Sequence, residues 1–311
     1  MEPDSSAIAP ARRALSQHPA RFGVGWGLIG IAAFSFTVPF TRVAAHDGLS
    51  PLFIGSGRAV VAAVLAVVAL AVTRQTRPTR AQWVRLAVVA GGVVAGFPLL
   101  TSYALTTAPA SHGAVVIGLL PAATAVMAVL RGKERVSRTF WVFAALGTAA
   151  VVAFAALQNG GLGSLHWSDV LLFGAVVAAA IGYAEGGLLA RELGAWQTVS
   201  WALVLCAPLM VVLTVASVTQ EAPNGRPVQW LAFAYLCVVS MYLGFFAWYH
   251  GLAIGPMAQV SQVQLVQPVL SILWAALLLR EQLTWPTILG GLVVIACARF
   301  AVRARLGTRV R

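Results

Sequence analysis

Charge is scarce in this 311-residue chain. Asp, Glu, Lys and Arg make up 10 % of it, while AVILMFWYC make up 59 %. A soluble domain averages about a quarter charged residues, so there is too little charge here for a water-facing surface. Cysteine is scarce as well. Cys206, Cys237 and Cys297 are odd in number and sit inside apolar runs, which implies no disulfide framework. No Asn-x-Ser/Thr acceptor occurs, so nothing points to an extracellular domain. Also missing are a Walker A loop, a His-Glu-x-x-His, a paired Cys-x-x-Cys and a Gly-x-Ser-x-Gly. Their absence counts against an ATP-driven pump, and neither a metal nor a cofactor is expected. Gly25-Trp26-Gly27-Leu28-Ile29-Gly30 fits a dinucleotide fingerprint by letter, but it follows no strand and opens an apolar span.

Long apolar runs are what the chain does have. Ten lie at about 22–43, 51–73, 81–106, 110–131, 138–157, 168–190, 195–218, 229–252, 257–280 and 285–303. A membrane-crossing helix needs about 20 apolar residues, and lipid cannot hydrogen-bond a bare backbone. The expected fold is therefore an all-α membrane protein of ten transmembrane helices. Acidic residues number 9 against 21 basic ones. With the N-terminus inside, seventeen of the basic residues fall on the cytoplasmic side and three outside, with Arg58 within the second span. That asymmetry is the positive-inside pattern. It places both termini in the cytoplasm and makes the excess charge topological, which counts against a nucleic-acid partner.

The chain also repeats. Shifted by 147 residues, Leu105 falls on Leu252, Pro109 on Pro256, Pro121 on Pro268, Lys133 on Arg280, Glu134 on Glu281 and Ser137 on Thr284. The organisation read from this is a cytoplasmic tail (1–21, expected disordered), a five-helix repeat (22–157), a second (168–303) and a basic tail (304–311). Five is odd, so the second repeat is expected upside down relative to the first. Such inverted repeats suit secondary transporters, whose halves exchange shapes around a midplane site.

The Pro121-to-Glu134 and Pro268-to-Glu281 units, Tyr103-Ala104-Leu105 and Arg58 resemble the drug/metabolite transporter superfamily of the EamA type. Gly182-Tyr183-Ala184-Glu185-Gly186, Trp248-Tyr249-His250-Gly251-Leu252 and Gln262-Val263-Gln264-Leu265 are similar to the subgroup nearest the YddG-type amino-acid exporters. The resemblance runs over nearly the whole chain from residue 22. It implies a basket of ten helices with a cavity lined by spans one, three, four, six, eight and nine. It also implies outward movement of amino acids or related metabolites.

Several residues are candidates for that cavity, each with a plainer alternative. Tyr242, Phe245, Phe246 and Tyr249 form an i, i+3, i+4, i+7 stripe, either a cavity wall or helix packing. Gln259, Gln262 and Gln267 share an arc of roughly 140°, either a polar cavity face or interhelical hydrogen bonds. Glu185 is an acid deep within a span, about 8 Å from its cytoplasmic end. His250 lies at similar depth. The two make a candidate inner gate or proton-sensitive pair, the alternative being a static Glu beside the Gly182/Gly186 notch. Tyr103, His112, Tyr183 and Trp248 complete the cavity set. Arg42, His46, Asp47, Arg58 and His112 lie near one level on the outer side. Arg58 is either structural, bonding backbone carbonyls, or an outer gate or carboxylate contact. Pro39, Pro121 and Pro268 are candidate hinges, although a simple packing kink would also account for them.

The expected activity is alternating-access transport of amino acids and related small metabolites across a bacterial inner membrane, in the export direction. The alternatives are a carrier of nucleotide sugars or drug-like cations, and a membrane-embedded enzyme. The partners expected are the small-molecule substrate and the lipid bilayer.

Overall fold

The computed structural model describes residues 8–132, 138–158, 166–255, 260 and 263–307. Among these the structure is helical, and the apolar helices number ten: six long enough to cross a membrane and four shorter ones. We number them α1–α10. α1 joins Ile8–Ser35 to Thr37–Ala45, and α2 is Pro51–Val72. α3 runs through Arg80–Val89, Ala90–Gly96 and Phe97–Ala104. α4 joins Ala110–Ile117 to Leu120–Gly132, and α5 is Arg138–Gln158. α6 is Trp167–Leu193 and α7 is Ala195–Gln220. α8 runs through Pro227–Tyr235, Leu236–Leu243 and Gly244–Ile254. α9 joins Val263–Val266 to Gln267–Leu279, and α10 is Trp285–Gly307.

The N-terminal segment departs from the expected disordered tail, because α1 already starts at Ile8. Ala, Arg, Leu and Gln there are good helix formers, and extending an existing helix avoids the cost of nucleating a new one.

Local chemistry sets where the helices begin and stop. Ser50 opens α2 by accepting from the Phe53 N–H at 3.2 Å, with Pro51 directly after it. Thr79 and Gln82 cap α3 reciprocally, at 2.9 and 3.4 Å. Gly194, with φ of 97°, breaks α6 from α7, a backbone shape that costs glycine little. Arg280 ends α9 in the left-handed region at φ 55°.

α2 packs along α7, α5 along α10, α1 along α8 and α3 along α6. Two of these seams depend on glycine. A Cβ at Gly92 of α3 would stand 2.4 Å from the Ala178 carbonyl and 3.0 Å from the Gly182 Cα of α6. A Cβ at Gly251 of α8 would stand 2.7 Å from the Gly23 carbonyl and 2.8 Å from the Gly27 nitrogen of α1. Small residues let backbones meet this closely in membrane bundles. Many apolar side chains face outward, among them Val64, Leu209, Leu231 and Leu292, as a lipid-facing surface requires.

Candidate functional site

The site begins at an interruption in α1. The helix breaks at Phe36 and resumes at Thr37. Pro39 has no N–H to give the Ser35 carbonyl, and that carbonyl instead accepts from the Ser271 hydroxyl of α9 at 2.7 Å. The Ala33 carbonyl accepts from the Tyr235 hydroxyl of α8 at 3.0 Å. Trp274 Nε1 donates to Ser35 Oγ at 3.0 Å. The backbone groups freed by the break are thus met by side chains of α8 and α9, as a low-dielectric interior demands.

Next to the break lies a central cavity of about 20 Å³. That is room for about one water molecule. Phe34 and Thr37 reach it from α1, Arg58 from α2, and Val93 and Phe97 from α3. Ala179 and Tyr183 reach it from α6, Ser240, Met241 and Phe245 from α8, and Gln267 from α9. Both halves of the chain contribute. Compared with the expected lining, α2 enters and α4 does not. The Phe34 ring lies 4.9 Å from Phe245 and 6.3 Å from Tyr183. Thr37 and Ser240 share a hydrogen bond of 2.7 Å across the cavity wall.

Arg58 is the cavity's cation. It is 1 % exposed. Its Nη2 reaches Thr101 Oγ1 at 3.4 Å, and its Nε has no partner. The four ion pairs among the described residues all involve other groups. Backbone-carbonyl bonding, one of the roles expected for Arg58, is instead the work of Arg42. Its Nη1 donates to the carbonyls of Leu105 at 2.9 Å and Thr106 at 2.6 Å, at the C-terminal end of α3.

Toward the two ends, contacts join the first half to the second. At the α3–α6 seam, Arg85 bonds Glu185 through Nε and Glu192 through Nη1. At the opposite end, both carboxylate oxygens of Glu281 accept backbone N–H groups that open α4, from Ala110 at 2.8 Å and Ser111 at 2.9 Å. An anion at a helix N-terminus meets unpaired donors and a favourable dipole. His112 of α4 bonds Asp169 of α6 at 2.6 Å, and Asp169 also accepts from the His166 N–H at 2.9 Å.

The expected residues divide accordingly. Tyr183, Phe245 and Gln267 line the cavity. Trp248 stands behind Tyr183 at 5.9 Å. His112 lies away from the cavity, between two further clefts of about 260 and 220 Å³. Tyr103 is 44 % exposed and does not line the cavity. The α8 stripe does not face one way. Tyr242 bonds Ser200 at 3.0 Å and packs on Phe246, while the Tyr249 hydroxyl points to the Gly182 carbonyl at 3.4 Å. Residues four apart form two neighbouring rows: Tyr242 and Phe246 turn toward α7, where Phe246 also meets Trp196, while Phe245 and Tyr249 turn toward α6. The partner found for Glu185 is Arg85, and His250 packs edge-on against Trp26 at 5.1 Å. Gln259 and Gln262 lie outside the described residues. Pro39 follows the α1 break, Pro121 follows the turn at Gly118–Leu119, and Pro268 opens the second part of α9.

Sequence reasoning missed Phe34, Thr37 and Ser240 as cavity residues, and Arg85 as a partner for Glu185. Phe34, Thr37 and Ser240 are ordinary letters in apolar runs. Arg85 is one of many basic residues that the charge pattern assigns to a single side of the membrane.

This architecture has relatives. The "Uncharacterized transporter YdeK" of Bacillus subtilis (strain 168) is 44 % identical over 282 residues, covering 90 % of this chain and 97 % of YdeK. A solved structure described only as "Crystal structure of protein" shares the fold with a TM-score of 0.62 at 18 % identity, over 94 % of this chain and 99 % of that one. The pattern of the EamA-like transporter family matches twice, at residues 21–156 and 166–303. With both of its halves matched, this multi-pass membrane protein belongs to the EamA-like transporter family, and it is a transporter rather than an enzyme.

Proposed function

We propose that the protein moves amino acids and related small metabolites across the bacterial inner membrane by alternating access, in the export direction. The observation that carries this reading is the central cavity. It combines one guanidinium, an amide and the hydroxyls of Thr37, Ser240 and Tyr183 with the rings of Phe34, Tyr183 and Phe245. A single cation beside neutral hydrogen-bonding groups matches a net-neutral zwitterion. It matches an organic cation poorly, and a phosphorylated sugar usually calls for several Lys or Arg.

Alternating access is supported by how the halves meet. Exchanging the first five helices with the last five leaves the seams α2–α7 and α5–α10 in place and swaps α1–α8 with α3–α6. That is the contact pattern an inverted repeat requires. The charge asymmetry supports an inside location for both termini. On this reading Arg85 with Glu185 forms the inner latch, and Glu281 on α4 forms the outer one. The cavity of about 20 Å³ is then a closed form that opens when either latch parts.

The test is purified protein in liposomes, with uptake of labelled amino acids, nucleotide sugars and organic cations measured with and without a proton gradient. Saturable amino-acid flux that survives collapse of the gradient is the expected result for a facilitative exporter. Movement of nucleotide sugars or organic cations in place of amino acids would overturn the substrate class and leave the fold untouched.

A further inference from the structure

We propose that Arg58 anchors a carboxylate of the transported solute, making carboxylate the group by which the cavity selects its cargo. The inference rests on the amino-acid reading above and narrows it to one side chain and one functional group.

Arg58 sits seven residues into α2, about 10 Å below the helix start. At 1 % exposure it cannot snorkel to water. A buried charge is costly unless paired and hydrogen-bonded. Arg58 is neither in full: its one side-chain contact is a long one at 3.4 Å, and its Nε is buried without a partner. Among the described residues no carboxylate stands against it. Glu185 is held by Arg85, Asp169 by His112, and Glu281 by the start of α4.

The guanidinium nonetheless faces the central cavity, to which both halves contribute. A planar fork of donors fits a carboxylate through two parallel hydrogen bonds. The same cavity offers the rest of an amino acid its complements. An ammonium group meets the faces of Phe34, Tyr183 or Phe245, where cation–π attraction operates, and the carbonyl of the Gln267 amide. A monocarboxylate therefore completes the site and relieves the unpaired cation in one step. A doubly charged phosphate would leave one charge unmet.

The experiment uses the whole protein in liposomes and compares competitors of labelled leucine uptake: leucine, leucine amide, isopentylamine and 2-hydroxyisocaproate. Wild type should be inhibited by leucine and the hydroxy acid and hardly at all by the amide or amine. Arg58→Gln should lose about a hundredfold in apparent affinity for leucine and cease to distinguish leucine from its amide. Arg58→Lys keeps the charge without the fork and should lose about tenfold. Should Arg58→Gln fail to fold, the wild-type protein carries the test through ligand-dependent shifts in its thermal unfolding midpoint. Carboxylates should then raise the midpoint and the amide should not.

Equal inhibition by leucine and leucine amide in wild type, or an unchanged leucine KM in folded Arg58→Gln, overturns the anchor and leaves amino-acid transport standing. Transport of hydroxy acids without amino acids supports the anchor and overturns the amino-acid reading. Movement of organic cations or nucleotide sugars with no competition from any carboxylate overturns both.

Discussion

Removing Arg85 should harm the protein far more than neutralising its partner. The Glu185 side chain is 3 % exposed and that of Arg85 24 %, so the acid is the buried member of the pair. Arg85→Ala takes the guanidinium away from a carboxylate inside the bundle. Breaking a buried pair from one side costs about 3–5 kcal/mol, because the remaining charge stays desolvated. Glu185→Gln is different. The amide is neutral, and Arg85 keeps Glu192 and a path to water. Its cost should be about 1 kcal/mol, near that of one hydrogen bond. The double variant Arg85→Ala/Glu185→Gln should fall close to Glu185→Gln alone, so the two changes are strongly non-additive. Thermal unfolding in detergent reads this through a thiol-reactive fluorophore, since Cys206 and Cys237 are free and buried until the bundle opens. The expected order of midpoints is wild type, then Glu185→Gln with the double variant, then Arg85→Ala well below. If Arg85→Ala were as mild as Glu185→Gln, or the double variant lost the sum of the two, the pair would not be a buried charge held by its partner.

Two further outcomes follow from close contacts. Gly251→Ala drives a Cβ into the Gly23 and Gly27 backbone, which cannot rotate away, and should cost about 1–3 kcal/mol. Gly25→Ala on α1 meets nothing within 4 Å and should be neutral or slightly stabilising in the same unfolding assay. Glu281→Gln weakens the cap on α4 by about 1–2 kcal/mol, and a cysteine at Ser111 should then react about tenfold faster with a membrane-impermeant maleimide; unchanged labelling would mean the cap does not hold the outer end shut.

The ten helices were legible because each is a long apolar run with no other use in a chain so poor in charge. Their organisation in two halves was legible because Pro121, Glu134 and Ser137 recur at one offset as Pro268, Glu281 and Thr284. The direction of side chains was much less so. The stripe in α8 splits into two neighbouring rows, Tyr242 with Phe246 against α7 and Phe245 with Tyr249 against α6, and hydropathy does not say which row meets the cavity; of the stripe, Phe245 is the residue that lines it. The pairing of Glu185 with Arg85 spans 100 positions, and a local pattern holds no information about such contacts. His250, adjacent in depth, was the nearer guess. Arg58 was legible as costly, since a cation within a span always is. Whether it bonded carbonyls or faced a cavity depended on the path of α3 and α8 around it.

The helix interruptions carry the strongest argument for motion, because they recur where the letters do not. Shifted by 147, the widened turn Ala90–Gly96 of α3 falls on residues 237–243, within Leu236–Leu243 of α8. The sequences there are Ala-Gly-Gly-Val-Val-Ala-Gly and Cys-Val-Val-Ser-Met-Tyr-Leu, with no identity to enforce a shared defect. The same shift carries Gly118–Leu119, where α4 breaks, onto residues 265–266, where α9 changes from a tight to a regular turn. A widened turn is rare and often marks a functional position. Val93 and Ser240, equivalent under the shift, lie in the two widened turns and both line the cavity. A defect kept at the same depth in both halves, touching the same cavity, under different side chains, answers to position rather than to local propensity. On the alternating-access reading that position is a pivot, and two matched pivots let each half take the shape the other has left.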